Sequence, residues 1–170
     1  VTGTGYVVLG GIKEVTFFTG IGAVSSKAGT WLSARLGSQA AENAAPFTRY
    51  MRTVETLDVS TARNAATFYS GPGNRALAES FATANGRTTL EMTRGGSWLD
   101  AQKLFSPGSP LTPTEATAVW SRLSERFAQG ASGNAVGFSQ GARAGSIFNT
   151  VEYPALLQNP NVTNVITGGF

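Results

Sequence analysis

Glu152 stands in the stretch "GSIFNTVEYPALLQNPNV", residues 145–162, among apolar and small neighbours, in a chain with only ten Asp and Glu among 170 residues. Burying an ionised carboxylate there without a partner is costly. Glu152 is therefore either a solvent-facing member of an edge strand or a charge held in a cleft for use. The sequence contains no histidine and no cysteine, which removes Ser-His-Asp and Cys-His mechanisms, thiolate chemistry, the usual zinc sites and His-dependent nucleases. Chemistry must run on Glu, Asp, Arg, Ser, Thr, Tyr and Trp. An oxygen-only Mg²⁺ or Ca²⁺ site would need an Asp-rich ligand loop, and the sequence has none, so no metal is expected.

The formal charge is only +3, and the thirteen Lys and Arg are scattered, with Lys13, Lys27 and Lys103 the lysines among them. No phosphate-tracking stripe results, and no nucleic-acid partner is expected. With 41% hydrophobic and 14% charged residues, the chain is globular in composition, and its length suits one core better than two.

Three parts are expected within one compact domain. Residues 1–29 form a Gly-rich apolar segment, residues 30–66 a helical part, and residues 67–170 an α/β part that carries the candidate chemistry. The first segment is broken too often for the ~20 apolar residues of a membrane helix, and its "GTGYVVLGG" departs from the dinucleotide-binding glycine spacing. Thr30 caps an expected helix with Trp31, Leu32, Arg35, Leu36, Gln39 and Ala40 at intervals of three and four. Residues 46–62 read as a second, helical or irregular, segment. Farther on, "AATFYS" suggests a strand, and "GPGNRALAESFATANG" a helix with Leu77 and Phe81 as its apolar pair and Gly86 as its stop. "RTTLEMT" reads as a short strand. "TPTEATAVWSRLSERFAQG" opens with Thr112 and Glu115 in a capping box, Pro113 at the first helical position, and a stripe of Val119, Leu123 and Phe127. "NAVGFSQ" is a strand, "SIFNTVEYPALL" a strand or strand-loop, and "NVITGG" a last strand.

Strands alternating with helices predict an α/β fold: a short, mainly parallel sheet flanked by helices, with a helical N-terminal part. Ligands in such sheets bind beyond the carboxyl ends of the strands. That rim would gather Tyr69 and Ser70, Glu91 to Thr93, Ser139 and Gln140, and residues 146–152. Trp120 and Ser124, four apart, share a helix face; a Trp so placed packs into a core more often than it binds a ligand.

The segments "TFYSG", "TTLEMT", "AVWSRLSERFAQGASGNAVGF" and "SIFNTVEYPALLQNPNV", in this order over residues 67–168, resemble the ADP-ribosyl cyclase / NAD glycohydrolase family, the group of animal ectoenzymes that make and hydrolyse cyclic ADP-ribose. The resemblance implies NAD⁺ or NADP⁺ as substrate and no cofactor. It implies that Glu152 is the catalytic glutamate, that Trp120 and Tyr69 are the aromatics at the nicotinamide end, and that Glu91 contacts nicotinamide and influences cyclisation against hydrolysis. Ser70, Ser124, Ile147 and Phe148 would contact the diphosphate. The departures are also informative. The animal enzymes carry several disulfides and this chain none. Gly71 stands where the family has a phosphate-binding Arg, leaving that charge to Arg75 or another Arg. Met92 replaces an acidic residue, which weakens any expectation of cyclase activity.

The implied chemistry suits a chain without histidine. Nicotinamide leaves as a neutral ring from a cationic pyridinium, so no general acid is required; a forming ribosyl cation needs only a nearby negative charge and aromatic faces. A histidine-free, cysteine-free module that begins at Val1 is expected to be a bacterial polymorphic or contact-dependent toxin domain. On that expectation it is secreted or delivered from a larger carrier, depletes NAD in the target-cell cytoplasm, meets a membrane only during delivery, and is occluded by a cognate immunity protein. The alternatives are an ADP-ribosyltransferase toxin, which breaks the same bond but needs a macromolecular acceptor, and a non-enzymatic membrane-active or translocation module built on residues 1–29.

Overall fold

The structure, a computed structural model, describes residues 46–168; the Gly-rich segment and the helix expected after Thr30 lie outside the described residues. Helix α1 covers residues 46–54, buries Val54 at its end, and is followed by turns that lead to Val59 in the core. Three parallel strands follow, β1 (Thr67–Tyr69), β2 (Gly133–Phe138) and β3 (Val162–Thr167), in the order β1-β2-β3. Thr67 is in register with Val136 and Tyr69 with Phe138. Parallel neighbours need long crossovers. The first crossover holds α2 (Asn74–Ala84), α3 (Arg94–Ala101) and α4 (Pro113–Gln129); the second holds α5 (Tyr153–Gln158). The α/β architecture is thus as the sequence predicts. No described helix is long and apolar enough to cross a membrane.

Helix α4 forms as its sequence dictates. The Thr112 hydroxyl accepts from the Glu115 N–H at 3.3 Å, and the Glu115 carboxylate accepts from the Thr112 N–H at 2.8 Å, which satisfies two otherwise orphan donors. Ala116, Val119, Leu123 and Phe127 are all buried. Phe127 packs on Phe68 of β1 with ring centroids 4.9 Å apart, and Phe68 lies 6.3 Å from Phe148. These contacts fix α4 and the segment after β2 around the end of β1.

In three places the chain departs from what its sequence leads one to expect. Helix α2 buries Asn74, Ala78 and Ala82, while Leu77 is 58% exposed; small side chains are what let a helix lie close to a sheet. Phe81 instead meets Phe138 edge-on at 5.3 Å. "RTTLEMT" is no strand. Thr88 makes a single parallel bridge with Ala66, and the chain then tightens into a 3₁₀ turn, Leu90–Met92. The turn is set by Thr93, whose hydroxyl donates to Leu90 O at 2.6 Å and accepts from Gly96 N at 3.0 Å as the cap of α3, a helix that two glycines hide from a propensity reading. Those glycines are required by contact: a Cβ on Gly96 would come 1.9 Å from Leu90 O.

"SIFNTVEYPALL" is likewise helical, with Phe148–Glu152 forming a π turn that runs into α5. Its β-branched and aromatic residues mimic a strand, but a crossover to parallel β3 calls for a helix there, and tertiary context overrides propensity. In the π turn the Tyr153 N–H reaches back five residues to Phe148 O. Pro154, which has no N–H to give, follows directly. The extra residue in the turn shifts the phase of the side chains, and Glu152 is brought inside.

Candidate active site

A cavity of about 620 Å³ opens beyond the carboxyl end of β1, against the segment that follows β2, on the side of the sheet where parallel strands bind ligands and with a volume within the range of small-molecule sites. Its walls come from the end of β1, the 3₁₀ turn, the α3–α4 connection, one face of α4 and the segment from Arg143 to Glu152. The Asn74 amide ties this rim together by donating to Ser70 O after β1 and, at 2.9 Å, to Gln140 O after β2.

The structure brings every residue singled out for chemistry to this one cavity: Glu152, Glu91, Trp120, Tyr69, Ser70, Ser124, Arg75, Ile147 and Phe148 all line it. Glu152 is only 6% exposed. Burial pushes its carboxyl up to about 8, the nearby Glu91 adds to the rise, and a hydrogen bond from the buried Ser124 hydroxyl opposes it. Glu91 projects from the 3₁₀ turn. Its Oε1 accepts from the Tyr69 hydroxyl at 2.5 Å, while its Oε2 is enclosed and has no hydrogen-bond partner among the described residues. Burial raises the Glu91 carboxyl and the Tyr69 hydrogen bond counteracts this; burial and then the Glu91 charge raise the Tyr69 phenol. Trp120 is partly buried, packs on the core and also lines the cavity, so the choice between core and ligand wall does not have to be made.

Arg75 reaches the cavity with its charge already engaged. It bonds Glu79 at 2.8 Å and takes both oxygens of Asp100, at 3.2 and 3.1 Å. Ser139 and Gln140, expected at the rim, do not line the cavity. Met92 is exposed, and Thr93 is committed to capping α3. The sequence reading missed Asp100, Lys103, Phe105 and Arg143, which line the cavity as well. The first three went unnoticed because α3 was not recognised. Arg143 sits in "SQGARAGS", a glycine-rich loop after a strand, and that position could have flagged it.

Among the described residues no cluster of Asp and Glu could hold a metal ion. Chemically, two buried carboxyl groups beside an indole and a phenol favour a cation once they ionise, and above all one that forms during a reaction.

No family model matches the chain, and no curated protein matches it. Among solved structures, CD38, described as forming a covalent enzyme-substrate complex, aligns with a TM-score of 0.55 and 24% identity over 71% of this chain and 56% of its own. The chain shares the fold of CD38 and ADP-ribosyl cyclase. An ADP-ribosyl cyclase complexed with N1-cIDPR aligns with a TM-score of 0.52 and 22% identity, over 67% of this chain and 52% of its own. Aplysia cyclase, complexed with substrate NGD and product cGDPR, gives 0.50 and 24% over 64% and 49%. The chain spans about half the length of these proteins.

Proposed function

We propose that the protein cleaves the bond between nicotinamide and ribose in NAD⁺ or NADP⁺, with water as acceptor. The observation that carries this reading is the enclosure of Glu152 in a cavity it shares with Glu91, Tyr69 and Trp120; the fold shared with proteins crystallised with cyclic nucleotide products and NGD supports it. As the C–N bond breaks, both of its electrons go to the pyridinium nitrogen and nicotinamide leaves neutral. The positive charge passes to the ribose, where the Glu152 carboxylate stabilises it. Water adds to the ribosyl carbon and releases one proton, so NAD⁺ and water give nicotinamide, ADP-ribose and H⁺. Trp120 and Tyr69 bound the nicotinamide end. Glu91, with one oxygen held by Tyr69 and the other without a donor among the described residues, faces the carboxamide. Met92 points to solvent rather than supplying a second acid, which favours hydrolysis over cyclisation.

Chromatography of an NAD⁺ incubation tests the reading. Free ADP-ribose and nicotinamide should appear in equal amounts at many turnovers, and Glu152→Gln should lower kcat by roughly a few hundred-fold. NAD⁺ left intact, or consumed only after a macromolecular acceptor is added, overturns hydrolysis, the latter in favour of ADP-ribosyl transfer. The wider setting we propose is a delivered toxin, neutralised by an immunity protein and active in a target-cell cytoplasm. It rests on the sequence, in which the absence of cysteine makes the fold independent of disulfides and compatible with a reducing compartment. Expression inside cells should then collapse their NAD pool, and Glu152→Gln should spare it.

A further inference from the structure

Among the described residues, three cationic side chains line the cavity, Arg75, Lys103 and Arg143. Arg75 is matched by Glu79 and Asp100. Neither Lys103 nor Arg143 forms an ion pair among the described residues, although Asp100 is near enough to Lys103 to feel its charge. The Arg75 fork already occupies both Asp100 oxygens, which leaves Lys103 to face other ligands. Arg143 has its backbone fixed, its carbonyl accepting from the Asn149 amide at 2.9 Å and from Ser146 N at 3.0 Å, while its guanidinium has no hydrogen bond or ion pair among the described residues.

Lys103 is also held in an unusual backbone state. It has φ 52°, and Asn64 is the only other described non-glycine residue with positive φ. Asn tolerates this region and here uses its side chain, whose Oδ1 accepts from Asn134 N at 2.8 Å. Lys103 has no such compensation. It follows Gln102, the cap of α3, with its N–H on Asp100 O at 3.2 Å, the position after a helix that glycine normally fills. A lysine in a glycine's place at the wall of a cavity is strain retained at a functional site.

We infer that Lys103 and Arg143, from the connections after α3 and β2, together hold the diphosphate of the substrate. The inference rests on the NAD(P)⁺ reading for the identity of the ligand, but its chemical content is narrower, namely a site for a nucleoside diphosphate. A polyanion entering a cavity that holds Glu91 and Glu152 is repelled unless uncompensated cations meet it, and among the described residues these two are the cavity cations without an ion pair. Arg75, which the sequence offered for this role, would have to give up two carboxylates first.

The test uses ADP as probe, with calorimetry on the whole chain, so that it does not depend on catalysis. Lys103→Gly and Arg143→Ala should each weaken ADP binding roughly 10- to 100-fold, the range for one hydrogen bond to a charged group, and Lys103→Arg should restore most of it. Lys103→Gly should also unfold at or above the parent's temperature, because glycine relieves the backbone. Failure of ADP to bind the parent, unchanged affinity in both variants, or a Lys103→Gly protein that loses stability along with affinity overturns the assignment. An ADP site that responds as stated in a protein without NAD⁺ cleavage would sink the reaction and leave this site standing.

Discussion

Replacing Glu152 by Gln should make the protein more stable, and increasingly so as the pH rises. The carboxyl titrates near its ordinary 4.5 in the unfolded chain and near 8 in the folded one, raised mainly by burial. Between these values the folded state holds a proton that the unfolded state has released, so rising pH favours unfolding. The sign is fixed by the direction of the shift: no penalty below about 4.5, a growing one up to about 8, and a plateau beyond. Each pH unit in the window costs about 1.4 kcal/mol; the loss comes to roughly 3 kcal/mol by pH 7 and approaches 5 above pH 8. Gln keeps the shape and cannot ionise, so the variant escapes this. At about 3 °C per kcal/mol for a domain of this size, the variant's Tm should exceed the parent's by about 10 °C at pH 7, the gap closing below pH 4.5. Calorimetric scans of both proteins at four pH values between 4 and 8.5 measure it. A gap that is flat with pH, or a variant less stable than the parent at pH 8, refutes the claim that Glu152 is held as a buried, desolvated acid.

Two further predictions concern its surroundings. The Ser124 hydroxyl lowers the Glu152 carboxyl and the Glu91 charge raises it, so if the carboxylate is the active form, NAD⁺ cleavage by the parent should rise with pH toward 8. Ser124→Ala should move that rise to higher pH and Glu91→Gln to lower pH, whatever either does to the maximum rate; pH–rate profiles of kcat/KM that shift together would contradict it. Gly96→Ala forces a Cβ onto Leu90 O and should cost about 1–3 kcal/mol as an overpacking substitution, read by urea unfolding, with NAD⁺ cleavage impaired because the Leu90–Met92 turn carries Glu91.

The parts of the fold that could be read from the sequence are those where local signals and tertiary demands agree. In α4, the Thr112–Glu115 box, Pro113 and the Val119, Leu123, Phe127 stripe all act within one helix, and α4 formed as predicted. Where a contact distant in sequence decides, the reading failed. Ala78 and Ala82 face the sheet in place of Leu77 because the sheet's distance, invisible in a helical wheel, selects small residues. Phe148, Thr150 and Val151 are strand formers, yet they turn as a π helix because the route to β3 requires it. The candidate residues still line one cavity despite these errors: strand or helix, the segment after β2 starts at the same rim, and a side chain can reach one cavity from either. Lys103 could not be found in this way, since its place depends on α3, whose glycines are chosen for contact with Leu90 and not for helix propensity.

Thr61 and Thr89 keep buried hydroxyls without partners among the described residues, and Asn64 has positive φ, none of them lining the cavity, but the irregularities that involve charge converge on it. Among the described residues, a buried glutamate without a cation beside it, a second carboxyl with one oxygen unpartnered, a π turn and a lysine in the left-handed region all border the same cavity. Each works against stability, and the rest of the core, with its packed Phe68, Phe127 and Leu123, has no use for any of them. Structural charge pairs elsewhere, such as Arg122 with Glu55 and Glu125, lie near the surface and satisfy one another. An ion pair kept only for stability would look like Arg122. A carboxylate kept for a cation that arrives with the substrate must be buried and left unanswered, as Glu152 is, and the stability it forfeits is the measure of how strongly it will answer a positive charge.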